Sequence, residues 1–170
     1  MKSKEIKRLS IASIFVALAV VGSLISVPVL GAKCAPVQHI INVMSGIILG
    51  PFYGVSVAFV ASLLRNLLGL GTLLAFPGSM CGALLAGLLF YWFKKTYFAY
   101  IGEVLGTAII GGMLAYPVAL LMMGNKTAAL FTFVVPFAIS TIVGTLIAAV
   151  MVEVLKKSGV LKKIKSELNS

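Results

Sequence analysis

Apolar residues run almost unbroken along this chain, and the polar positions act as punctuation between them. Six apolar runs are separated in this way, at about 9–27, 36–49, 53–68, 77–93, 98–123 and 128–155. The first follows a basic flank (1–8) and ends at Pro28, and a short linker with Gly31 and Lys33 leads to the second. The second is short, bounded by Pro36 and by Gly50-Pro51. At 1.5 Å per residue its roughly 14 residues reach about 21 Å, less than the ~30 Å hydrocarbon core, so its outer end stops inside the protein. The fourth begins at Pro77, a favoured first helical position, and ends on the interfacial pair Tyr91 and Trp92, with Lys94 and Lys95 following. The fifth contains Pro117 and ends at Gly124-Asn125-Lys126; the sixth contains Pro136 and runs into a basic tail (156–170). The pattern predicts an all-α integral membrane protein, with six transmembrane helices in a single domain spanning 1–170.

Composition strengthens this reading. With 61% hydrophobic residues, 11% charged residues and a mean hydropathy of +1.14, the chain is too apolar for a water-soluble domain of its size. Its net charge of +10 lies mainly at the two termini and in one short loop, which fits membrane topology and argues against nucleic acid. Lys2, Lys4, Lys7 and Arg8, then Lys94 and Lys95, then five lysines of the tail fall on one side, against Lys33 and Lys126 on the other. Both termini are therefore expected in the cytoplasm. The first apolar run is longer than a signal-peptide core and no A-x-A site follows it, so it is expected to stay and span. Lys33 directly before Cys34 spoils a lipoprotein cleavage box. Cys34 and Cys81 have no metal-ligand spacing, and no metal or cofactor is expected. There is no P-loop, no H-E-x-x-H and no pair of carboxylates, and Ser79 with His39 lacks the G-x-S-G setting of an intramembrane protease. The chain reads as a non-enzyme; if it moves something with energy, another chain supplies that energy.

The informative stretch is Ser62 to Gly87, SLLRNLLGLGTLLAFPGSMCGALLAG. Arg65 is the one arginine deep in apolar sequence, and a cation there faces the protein interior or a wet cavity. Asn66 follows it, then Gly69, Gly71 and Thr72 break the apolar run, and Phe76-Pro77-Gly78 breaks it again. Helix, irregular segment, helix is the expected order, and irregular backbone at membrane depth needs protein or a water-filled cavity around it. In the second run Gln38, His39 and Asn42 share one helical face at the same outer depth as Arg65 and Asn66. Together these residues predict a polar cavity in the outer half, although His39 alone also fits a structural histidine bonded to a carbonyl. Glu103, early in the fifth run, reads either as a carboxylate snorkelling or pairing with a lysine or as a buried acceptor. Tyr116 reads as an interfacial belt residue or as a ligand-stacking one. Ser79 completes the candidate substrate-binding set. Gly46, Gly50 and Gly54, then Gly78 and Gly82, then Gly102 and Gly106 form G-x-x-x-G steps that close helix packing explains.

The segments GAKCAPVQHIINV (31–43), LLGPFYGVSVAF (48–59), SLLRNLLGLGTLLAFPGSMCGALLAGL (62–88) and GEVLGTAIIGGMLAYP (102–117) combine unusual polar residues with fixed glycine spacing. In them the chain resembles the ThiW family, substrate-binding S components of energy-coupling factor (ECF) vitamin transporters. The resemblance implies uptake of hydroxyethylthiazole, the thiazole precursor of thiamin, across a bacterial plasma membrane. It also implies partnership with a transmembrane coupling protein and two ATPase subunits. S components often carry A-x-x-x-A in the first span; here Ser13-x-x-x-Ala17 and Ala19-x-x-x-Ser23 keep small residues at that spacing as the candidate docking face. For a thiazole, Gln38, His39, Asn42 or Asn66 supply hydrogen bonds, Phe76 or Tyr116 a wall, and Gly71 and Thr72 a close backbone approach, while Arg65 either holds the network or meets a negative group. Two other classes stay open: a self-sufficient carrier or channel, homo-oligomeric through its G-x-x-x-G faces, and a membrane scaffold that needs no polar cluster.

Overall fold

A computed structural model describes residues 2–29 and 32–169. Gly31 of the linker and the terminal Ser170 lie outside the described residues. Seven helices and one small hairpin make up the fold: α1 Lys2–Gly22, the strands β1 Val27–Val29 and β2 Ala32–Cys34, α2 Pro36–Ile48, α3 Pro51–Leu67, α4 Ala75–Phe93, α5 Thr96–Leu121, α6 Val134–Lys157 and α7 Val160–Asn169. Three of these, α4, α5 and α6, are long and apolar enough by themselves to cross a membrane. Large apolar side chains such as Ile109, Leu146 and Val150 face outward, while Asn42, Ser62, Glu103 and Thr141 are wholly buried. That inside-out distribution is the one lipid demands.

The ends of the helices follow local chemistry. Pro36 opens α2 and Pro51 opens α3, each where a missing backbone donor costs nothing. Between them Gly50 takes φ +90, a conformation other residues resist, and so turns the chain sharply. The backbone donors of Leu70 and Gly71 fold back onto Arg65 O, at 2.8 and 3.0 Å, and close the end of α3. α4 then starts at Ala75, two residues before the expected Pro77, which sits in the first turn where the backbone donors have no helical partner anyway.

Several boundaries differ from expectation. α1 includes the basic flank and ends at Gly22, while Val27–Val29 leaves the helix and pairs antiparallel with Ala32–Cys34, Pro28 opposite Lys33. An apolar run cannot by itself distinguish helix from strand. The sixth run yields helix only from Val134: Asn125 Oδ1 accepts from the Thr127 amide (3.2 Å) and hydroxyl (2.8 Å), and Thr132 Oγ1 accepts from the Ala129 amide (2.8 Å), side-chain turns that compete with helix. The tail is also structured. After Gly159 at φ +75, α7 packs Leu161 and Leu168 into the core, and Lys165 Nζ lies 4.2 Å from the centroid of the Phe90 ring.

Helix α4 is the central element, because its glycines let three neighbours reach its backbone. A Cβ on Gly102 of α5 would lie 2.5 Å from Leu85 O, one on Gly106 2.5 Å from Cys81 O, and one on Gly111 2.6 Å from the Gly78 Cα. On the other side a Cβ on Gly46 of α2 would meet Gly87 N at 3.0 Å, and one on Gly87 would meet the Pro51 Cα at 2.5 Å. These helices touch backbone to backbone, the arrangement small-residue steps permit. Within α5, residues Leu105–Gly111 form a π-helical stretch, a wide turn inside an otherwise α-helical span.

Candidate functional site

Of the polar groups that sequence placed at one depth, Gln38, His39, Asn42 and Arg65 converge between α2, α3, α4, α5 and α6, and Asn66 does not. Their hub is Glu103 on α5, 0% exposed. Its Oε1 accepts from His39 Nδ1 at 2.8 Å and from Asn42 Nδ2 at 3.0 Å. Thr107 Oγ1 sits 3.0 Å from that same oxygen and 3.2 Å from Gly78 O, and gives its one proton to either. Glu103 and Thr107 are four residues apart on α5, so both reach across at the level where Gly82 of α4 leaves room. A Cβ there would collide with Thr107 Oγ1 and lie 2.6 Å from Glu103 Oε2. Of the two readings of Glu103, the buried acceptor is therefore the observed one; it meets no lysine.

A chain of amides links this hub to the arginine. Arg65 NH1 donates to Gln38 Oε1 (3.0 Å), Gln38 Nε2 to Asn42 Oδ1 (3.0 Å), and Asn42 Nδ2 to Glu103 and to Ser79 O (3.1 Å). Hydrogen bonds in such a series polarise one another in a medium of low dielectric. On the far side of His39, Nε2 lies 3.0 Å from Ser140 Oγ of α6. The imidazole thus bridges α5 and α6, one ring nitrogen facing the Glu103 carboxyl group and the other the Ser140 hydroxyl. Gly144 lets α6 approach: a Cβ there would lie 2.7 Å from the His39 Cβ.

These groups border a narrow cavity of about 40 Å³, room for roughly three waters. Gln38, His39, Arg65 and Ser79 line it, together with Lys33 from the hairpin and with Thr107, Phe137 and Ser140. Asn42 and Glu103 support the lining from behind. The remaining candidates lie apart from the lining. Asn66 Nδ2 donates to Ser62 O (2.9 Å) and Thr72 O (3.0 Å), so Asn66 and Thr72 fasten the loop after α3. Gly71 packs on the Arg65 side chain, where its Cβ would lie 3.2 Å from that of the arginine. Phe76 faces Phe59 with centroids 5.7 Å apart, and the half-buried Tyr116 is likewise absent from the lining.

Sequence reasoning missed eight lining residues, among them the small or apolar Ala35, Leu74, Ala75 and Gly78. Thr107 was within reach, since it lies one turn from Glu103 on the same face. Ser140 and Phe137 belong to an apolar run with no local sign that singles them out. Lys33 was assigned only to a linker. The docking stripe also divides. Ser13 and Ala17 are exposed on α1, whereas Ala19 is 0% and Ser23 2% exposed, packed inside this chain and turned away from any partner. Positions 17 and 19 differ by two residues, about 200° around a helix, so the two stripes face opposite ways.

A helical chain with a lipid-compatible exterior and a small cavity edged by buried polar side chains has the build of a membrane protein. The particular family follows from comparison: the model of the thiamine-precursor transporter protein (ThiW) family matches residues 9–158, and the chain belongs to that family. It is a transporter component and not an enzyme. Comparisons with curated proteins and with solved structures returned no match.

Proposed function

We propose that this chain is the substrate-capture component of an ECF-type importer, with six spans and both termini cytoplasmic, and that it takes hydroxyethylthiazole from outside and presents it to a coupling protein driven by two ATPase subunits. The observation that carries this reading is the cavity wall of Gln38, His39, Ser79 and Ser140, in which every side chain is held by a neighbour before any ligand arrives. Preorganised polar groups in an otherwise apolar pocket give orientation and specificity. His39 and Ser140 suit the hydroxyl or ring nitrogen, and Phe137 supplies the apolar wall. A substituted thiazole is larger than the few waters the cavity holds, so binding widens it at its rim, where the hairpin and the loop after α3 lie. The homo-oligomeric carrier loses support, because the glycines of the G-x-x-x-G steps it would use, all but Gly50, are occupied within the chain.

Calorimetric titration of the purified protein with hydroxyethylthiazole tests this. Losing a hydrogen bond that leaves a buried partner unsatisfied costs about 1 to 3 kcal/mol, or roughly 5- to 150-fold in affinity. His39→Ala is expected to weaken binding by that factor, and Cys81→Ala, outside the lining, to leave it unchanged. A parent protein that does not bind the thiazole, or a His39→Ala variant that binds like the parent, overturns the assignment of this cavity.

A further inference from the structure

The charges that face the cavity are of one sign. Arg65 is 3% exposed and lines the cavity, yet among the described residues no carboxylate lies within ion-pair distance of it. One of its donors, NH1, goes to Gln38, and Nε has no hydrogen-bond partner. The sequence has four carboxylate side chains, Glu5, Glu103, Glu153 and Glu167. Glu103, the one at the site, is withdrawn behind the lining with its Oε1 facing His39, Asn42 and Thr107. At the rim Lys33 adds a second cation, its Nζ 3.5 Å from Gly69 O. A buried guanidinium without a counter-ion is costly, and the cost is removed by an anion that enters beside it.

We infer that the cavity contains an anion subsite, formed by Arg65 and Lys33, and that the preferred ligand is a thiazole whose side arm ends in a phosphate monoester or a carboxylate. This rests on the cavity being the substrate site. In this arrangement the ring packs towards Phe137 and His39, and the anionic end of the arm meets the Arg65 guanidinium.

The test is calorimetric titration of the full-length protein in lipid nanodiscs with hydroxyethylthiazole, its phosphate monoester and the corresponding thiazole acetic acid. At least one anion is expected to bind about tenfold or more tighter than the alcohol, the strength of one charge-assisted contact. The two anions separate phosphate from carboxylate recognition. Arg65→Gln and, at the exposed rim, Lys33→Gln are each expected to bring that ratio below about threefold. The Lys33 variant keeps the test readable if the Arg65 variant folds poorly. An alcohol that binds as tightly as both anions overturns the subsite and leaves the substrate cavity standing. Preference for an anion that survives in Lys33→Gln and in a folded Arg65→Gln also overturns it, and absence of binding by all three removes the cavity assignment with it.

Discussion

At Gly82 one added methyl group would strike the polar hub itself, because the space it leaves is filled by the Glu103 carboxylate and the Thr107 hydroxyl. Overpacking costs about 1–3 kcal/mol, and displacing the carboxylate from its donors adds a similar amount. Gly82→Ala is therefore expected to lower the unfolding temperature in a thermal scan and to weaken thiazole binding more than about tenfold. Parent-like values for both would mean that the hub tolerates displacement. The residues around it differ in how far sequence revealed them. Gln38, His39 and Asn42 were legible as a set because their spacing puts them on one helical face. Their acceptor was not, since Glu103 lies 64 positions from His39 and only the fold brings the two together. Asn66 misled for a local reason: one residue beyond Arg65 means about 100° around α3, away from the cavity and onto the loop.

Helix α1 presents two faces with opposite fates. Ser13 and Ala17 remain free on the outside, and Ser13 borders an apolar groove against α3 formed with Leu9, Tyr53 and Val60. Ala19 is packed in the core. Ala17→Trp is expected to leave yield and ligand binding intact while abolishing uptake and co-purification with the coupling protein. Ala19→Trp is expected to reduce folded protein outright, which size-exclusion profiles of the two variants will separate. Six helical runs and most of their inner boundaries could be read from apolar length and from Pro36, Pro51 and the Lys94-Lys95 pair. The hairpin could not, because its strands are three residues each and their pairing fits an apolar run equally well as helix. α7 was hidden by its lysines, although Leu161, Ile164 and Leu168 already marked an amphipathic face.

At the scale of the whole molecule the basic residues gather at one end. Lys94, Lys95, Lys156 and Lys165 border a common surface beneath α7, and burial, then Lys94 and Lys156, hold the Lys165 ammonium below its usual pKa. In the six-span arrangement proposed above that end would be cytoplasmic. Single cysteines placed at Ser3 and Ser170, in a chain with Cys34 and Cys81 replaced by alanine, are expected to escape a membrane-impermeant thiol reagent in intact cells and to react after permeabilisation. Labelling at only one end would require an odd number of spans. The wide turn at Leu105–Gly111 reaches further than its own neighbourhood. It phases the second half of α5 against the first, so that Gly102 before it, Gly106 and Gly111 within it and Ala115 beyond it all stay on the buried side. Each residue of an α-helix turns it by about 100°. Removing one residue from this stretch would thus act as a frameshift in three dimensions: the chemistry around Glu103 would keep its order, while every side chain after the cut would be dealt to the wrong neighbour.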